Sequence, residues 1–363
     1  MWQTIPMSLQ VHQIHFQLMF SNSRYRGGYA MRLNIKKLLC MTMIGVLAIA
    51  SMVGCGSGSS ASGKVSAKGT NIYFSIPDVD DTFRAALSDA INEAAAESGA
   101  TVTTEYCGNS TDDQLHMIEA AAASGKYNAI ICRIVDISTA LQMEIAAGDL
   151  PIVFVNNEPS SEYLKADKYI YAGSFEQDAG AFQAEYVWNK LGNPSSMNIV
   201  ILEGEKGHAG AIGRTNAIKY FYRDNGVDAN IVFMDYANWS DTEAYEKLDV
   251  FKLTNQSFDA IFCNNDTMAL GAVKWLKDNG YDPSKYLVAG VDATADGCAS
   301  IKAGDMYMTV LQDAQGQGVA AVNACAVLSK GQSISSIEGA TDDLKYVLVP
   351  FVPVDASNVS EVQ

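Results

Sequence analysis

From Thr70 onward the chain alternates short runs of β-branched and apolar residues with longer amphipathic segments, a pattern that limits it to βα units wound around a parallel sheet. The apolar runs predict strands at 71–76, 101–106, 129–132, 152–155, 169–172, 198–202, 230–234, 260–263, 287–289 and 309–311. Amphipathic spacing predicts helices over 81–98, 112–124, 177–191, 211–225, 241–253 and 267–279. Gly99, Gly192, Gly226 and Gly280 fall near the ends of four of them, where a left-handed cap is wanted. The pattern also repeats: strand, polar loop, long helix, glycine and strand describe 72–106 and again 199–236, and 127–156 matches 258–292 in the same way. The economical reading is an α/β protein of two similar lobes, each a parallel sheet flanked by helices, with the break near Gly173.

What precedes Thr70 sets the compartment. Met31, Arg32, Lys36 and Lys37 lead into an apolar run from Leu38 to Val53, then Gly54-Cys55 and a tether of Gly, Ser and Ala. A charged start, an apolar centre and small residues before a cut form a signal peptide. The run holds about 16 residues, fewer than the roughly 20 of a spanning helix. Residues 31–54 are therefore expected to be a cleaved lipoprotein leader, Cys55 the lipidated residue and 55–69 a flexible tether. Residues 1–30 carry no apolar run and no acid, and they precede a Met that opens a well-formed leader, so they read as an upstream mis-start or extension.

Charge narrows the partners. Five of the 25 basic residues and none of the 41 acidic ones lie before Cys55, leaving 20 against 41 and a net charge near −21. Such a surface repels phosphate backbones and anionic headgroups, so nucleic acid is not expected as a partner, and membrane contact is expected through the lipid alone. The remaining cysteines, Cys107, Cys132, Cys263, Cys298 and Cys325, are odd in number and form no CxxC pair. Cys132 and Cys263 each end an apolar run and read as small buried hydrophobes, so neither a disulfide framework nor a metal site is expected.

In open α/β sheets ligands bind outside the carboxyl ends of the strands, so the residues after each strand carry the functional signal. Asp81 and Phe83 follow the first strand, Arg133 the third and Asn156 the fourth. In the second half His208 and Arg214 follow the sixth strand, Trp239 the seventh, Asn265 and Asp266 the eighth, Asp292 the ninth and Gln312 the last. Carboxylates, amides and guanidinium groups with two aromatics suit a sugar. Ring faces carry C–H bonds that pack on aromatic planes, and the rim carries hydroxyls that donate and accept. For several of these residues a plainer role is available, since Asp81, Asn265 and Asp266 each stand where a helix N-cap is needed.

Competing chemistry finds little support. Gly58 to Lys64 spells GxxxxGK, but Val65 stands where a phosphate loop needs Ser or Thr. Asp78, Asp80 and Thr82 resemble the start of a calcium loop, yet Phe83 occupies the position that needs Gly. No GxSxG or HExxH occurs, and His208, the one plausible proton shuttle, has no nucleophile beside it in sequence. A glycosidase would need two carboxylates about 5–10 Å apart; Asp81 and Asp292 are a candidate pair across the cleft, but the sequence shows no environment that would raise the pKa of either.

Over nearly its whole length after the leader, the chain resembles the periplasmic sugar-binding proteins of the ribose/galactose type, and within them the galactose/glucose branch. The resemblance is carried by Asp80-Asp81-Thr82-Phe83, Pro151 to Ser160, Gly204 to His208 with Arg214, Asn238-Trp239, Asn264-Asn265-Asp266 with Met268, Gly290 to Ala293, and Thr309 to Ala314. It implies a type I periplasmic binding protein fold and a monomeric receptor, not an enzyme, that closes on one monosaccharide and delivers it to an ABC permease. It assigns Asp81, Asn156, His208, Arg214, Asn265 and Asp292 as hydroxyl ligands and Phe83 and Trp239 as the stacking pair. The lobes are expected to comprise 70–173 with 313–346, and 174–312 with 347–358, joined by three crossings with Gln312 at one hinge.

Several positions depart from the galactose/glucose pattern. Gly210 stands in place of an Asp ligand, Pro77 of a Tyr, and Gln312 and Arg133 each of an Asn. The segment 189–197 lacks the branch's calcium loop, so no metal or cofactor is expected. One carboxylate fewer and one guanidinium more predict a pocket more positive by about two charges. Galactose or glucose therefore leads, with a pentose or an acidic sugar open. A sensory module presenting ligand to a chemoreceptor or histidine kinase is the functional alternative. A LacI-type repressor shares the fold but lacks its DNA-binding segment here.

Overall fold

The computed structural model describes residues 65–362, which fall within one compact unit. Cys55 and the leader lie outside the described residues. The first sheet holds β1 (Asn71–Ile76), β2 (Thr101–Tyr106), β3 (Ala129–Cys132), β4 (Ile152–Val155), β5 (Tyr169–Gly173) and β11 (Tyr346–Leu348), in the order β11-β5-β4-β3-β1-β2. All of its pairings are parallel. The second holds β6 (Ser196–Glu203), β7 (Asp228–Tyr236), β8 (Ala260–Cys263), β9 (Leu287–Ala289), β10 (Met308–Leu311) and β12 (Val352–Asp355), in the order β12-β10-β9-β8-β6-β7. Here only β12 runs antiparallel to its neighbour. The two sheets thus share one strand order, and the α/β reading of two similar lobes holds.

Central strands such as β3, β4 and β8 are wholly buried, because helices cover both faces of each sheet. The edge strand β2 alternates instead, with every second side chain exposed at its start. In the first lobe α1 (Thr82–Ser98) follows β1, α2 (Thr111–Ala123) follows β2 and α3 (Ala140–Ala147) follows β3. In the second, α4 (Glu176–Lys190) precedes β6, α5 (Ala209–Asp224) follows it, and α6 (Asp241–Lys252), α7 (Asp266–Asp278) and α8 (Ala295–Ala303) follow β7, β8 and β9. After β10 the chain returns to the first sheet through α9 (Ala314–Leu328), which packs on α1 and β5. Among the described residues no helix is long and apolar enough to cross a membrane.

Most sequence boundaries shift by a residue or two; Ala209–Asp224 begins two residues earlier than expected because His208 caps it. The short β11 and β12 were not anticipated. Runs of three and four residues, the second holding Pro353 and Asp355, carry too little periodicity to declare a strand. Because β11 pairs with β5 through Leu348, the last passage between the sheets lies at 349–351 and not after 346. Among the described residues Cys107, Cys132, Cys263, Cys298 and Cys325 are all buried.

Candidate functional site

Residues from both lobes line one cleft. From the first lobe come Asp81 and Phe83 at the start of α1, Arg133 after β3 and Asn156 after β4. From the second come His208, Arg214, Trp239, Asn265, Asp292 and Gln312. Ten of the eleven strand-end candidates meet there, and Arg84, which sequence reasoning missed, joins them. Asp266 does not line the cleft: it is fully buried and accepts from Thr294 N (2.8 Å), Thr294 Oγ1 (3.2 Å) and Thr309 Oγ1 (2.6 Å), bracing the loop that presents Asp292.

Several side chains combine a cap with a place in the cleft. Asp81 Oδ1 accepts from Arg84 N (2.9 Å) and Asn265 Oδ1 from Met268 N (2.9 Å), each capping the helix it opens. Capping consumes one oxygen and leaves the other polar atom of each free to serve the cleft. His208 Nδ1 accepts from Gly210 N at 3.0 Å, which places its proton on Nε2. Burial, then the neighbouring Arg133, Arg214 and Arg84, hold its pKa well below the usual range. A neutral, fixed imidazole is a donor to a ligand and no proton shuttle.

Backbone conformation aims the aromatic wall. Asn238 and Trp239 both have positive φ (48° and 65°), a left-handed pair that turns the indole inward. His208 meets it edge-on, ring centres 5.1 Å apart at 77°. A Cβ at Gly204 would lie 2.1 Å from the indole ring, so only glycine permits this seat. Asp292, at φ 117°, is held by its own N–H donating to Val310 O (2.7 Å).

The two buried arginines differ. Arg214 donates through Nε to Glu176 Oε2 (2.6 Å), through one terminal nitrogen to Asn264 O (2.6 Å) and through the other to Gln312 Oε1 (2.8 Å), with Asp292 at 3.9 Å. Burial pushes the Glu176 carboxyl up and Arg214 opposes that shift. Arg133 makes only long bonds, to Asn156 Oδ1 (3.2 Å) and Ile134 O (3.3 Å), with Glu205 at 3.7 Å. Burial, then Arg84 nearby, lowers its pKa. Arg84 itself pairs with Asp78 at 2.8 Å, yet its Nε is buried with no partner, as is Gln312 Nε2.

The arginines of the cleft differ in how they are paired. Arg84 is matched by Asp78 and Arg214 by Glu176, while Arg133 has Glu205 at 3.7 Å as its nearest carboxylate and shares the cleft with Asp81 and Asp292. Two of the three cleft arginines thus have a carboxylate within hydrogen-bond distance. Beside Gly210 stands the buried Glu176, whose Oε2 would lie 3.5 Å from a Cβ added there and which accepts from Arg214 without lining the cleft. Sequence reasoning missed Glu176, which opens α4 three residues after β5. Arg84 was hidden as a position on a helix face, and its only signal was adjacency to Phe83.

Comparison with known proteins agrees with the architecture. The family model for periplasmic binding protein domains matches residues 72–333. A protein described as rhizopine-binding from Rhizobium meliloti is 30% identical over 288 residues, covering 78% of this chain and 89% of its own. The D-galactose/methyl-galactoside binding periplasmic protein of Haemophilus influenzae is 27% identical, covering 86% of this chain and 96% of its own. An ABC transporter solute-binding protein from Bacillus halodurans, solved with bound myo-inositol, superposes with a TM-score of 0.70 at 27% identity, covering 84% and 99%. The chain belongs to the periplasmic sugar-binding protein family of the ribose/galactose type. It is thus an extracytoplasmic solute-binding protein of an ABC transporter and not an enzyme.

Proposed function

We propose that this protein is the lipid-anchored receptor of an ABC importer and that it binds a neutral six-membered-ring polyol, a hexopyranose of the galactose/glucose type in the first instance. The observation that carries this reading is one cleft lined from both lobes, with Phe83 and Trp239 for ring faces and amides, carboxylates and guanidinium groups for the rim. A ligand there bridges the lobes, so its binding energy stabilises the closed form, and closure is what the permease reads. The matched charges favour a neutral ring over an acidic sugar. The galactoside-binding relative supports the hexose. The myo-inositol complex supports a second reading, a cyclitol, which presents the same rim of hydroxyls without a ring oxygen.

Titration of the indole fluorescence with galactose, glucose, myo-inositol, ribose, xylose and glucuronate separates these readings. Saturation by a hexose alone sustains the first, saturation by myo-inositol alone sustains the second, and a preference for glucuronate sinks both. The anchor is tested separately: Cys55→Ser should abolish incorporation of labelled fatty acid and release the protein from the membrane fraction. Labelling that persists in that variant would remove the lipid from the account.

A further inference from the structure

Beside the ligand-facing Asn156 stands Asn157, which does not line the cleft and is 1% exposed. Asn157 N donates to Val155 O (2.7 Å) across Asn156, whose φ is 60°; this three-residue turn lets neighbouring amides serve different purposes. Asn157 Nδ2 donates to Ile134 O (3.0 Å) within its own lobe, while its Oδ1 accepts from Ala209 N (3.0 Å) in the other. Ala209 is the first residue of α5, whose opening N–H groups have no partners inside the helix. One of these donors is therefore satisfied by an amide from the opposite lobe. The same stretch of chain, 204–209, also brings Glu205 to within 3.7 Å of Arg133.

We propose that Asn157 is a latch between the lobes: it stabilises the closed form without touching ligand, and so raises affinity for every ligand alike. Opening hands both bonded groups to water, so the contact favours closure by one buried hydrogen bond, worth about five-fold in the closed-to-open ratio. Asn157 is a positioning residue, distinct from those that read the ring.

Two substitutions isolate the contact from either side. Asn157→Ala removes the acceptor. Ala209→Pro removes the donor at the first helical position, where proline is tolerated. The preceding His208 is extended (φ −72°, ψ 133°), as a residue before proline must be. Small-angle scattering of the ligand-free protein is expected to give a larger radius of gyration for each variant than for wild type, with the double variant no larger than the single ones. Titration with galactose, glucose and myo-inositol should show affinity falling by at most about five-fold for each compound that binds, with their order unchanged and no further loss in the double variant. Unchanged scattering, additive losses or a reordered preference would each overturn the latch. Should none of the three compounds bind wild type, the ligand reading fails while scattering still decides the latch.

Discussion

The two walls of the cleft meet the same problem, a buried guanidinium, and solve it differently. On the second-lobe wall Arg214 has a carboxylate, a carbonyl and an amide oxygen, all within 2.8 Å. On the first-lobe wall Arg133 is as deeply buried, but its hydrogen bonds are 3.2 and 3.3 Å long and its nearest carboxylate is 3.7 Å away. A buried charge whose partners are all in place belongs to the scaffold, and one held by weak bonds keeps interaction energy in reserve for a ligand. One wall is thus built to be rigid and the other to respond.

Removing each arginine puts that contrast to its hardest test. Arg214→Ala strands the buried Glu176 and should cost about 3–5 kcal/mol of stability, read by urea unfolding of the ligand-free protein. Arg133→Ala should lower stability by no more than about 1.5 kcal/mol while weakening affinity for the preferred ring by roughly 30-fold to 1000-fold. If the two variants lose stability equally, the walls do not differ as described. Next in size is Gly204→Ala, whose added Cβ meets the Trp239 ring. Displacing the indole should cost about 1–3 kcal/mol, visible as weaker ligand binding and an altered emission spectrum.

Acid provides the smallest and most even-handed test, because both lobes hold carboxyls that burial pushes up: Glu158 to about 7 in the first, Asp178 to about 6 and Asp266 to about 7 in the second. Each binds its proton more tightly folded than unfolded, where such groups titrate near 4. Their contribution is complete below about pH 4 and is lost as pH rises through 6 to 7, so thermal stability should decline between pH 5 and pH 8. Asp266→Asn should flatten that slope. A melting temperature that rises with pH across this range would exclude the raised carboxyls as the cause.

Much of this could be read from the chain before any coordinates. The doubled strand–helix alternation dictated two parallel sheets, because a parallel strand must be reached by a crossover and a sheet covered on both faces needs apolar runs such as Ala129–Cys132 and Ala260–Cys263. The rule that ligands gather at the carboxyl ends of strands then picked out ten residues that share one cleft. Local sequence sufficed there because each candidate stands one loop beyond a recognisable strand.

Tertiary structure alone decided the partnerships. Nothing in the sequence says that Glu176 reaches Arg214 across 38 positions, that Asn157 meets Ala209 across 52, or that Gly204 clears room for Trp239. Nor could it balance the pocket's charge, since counting Arg133 and Gly210 leaves out Asp78, Glu176 and Glu205, whose pairing with the arginines exists only in the folded protein. Periodicity is a property of neighbours along the chain and fixes which elements form. Electrostatic pairing falls off with distance in space, so it is settled only when the folded backbone brings remote residues within a few ångströms.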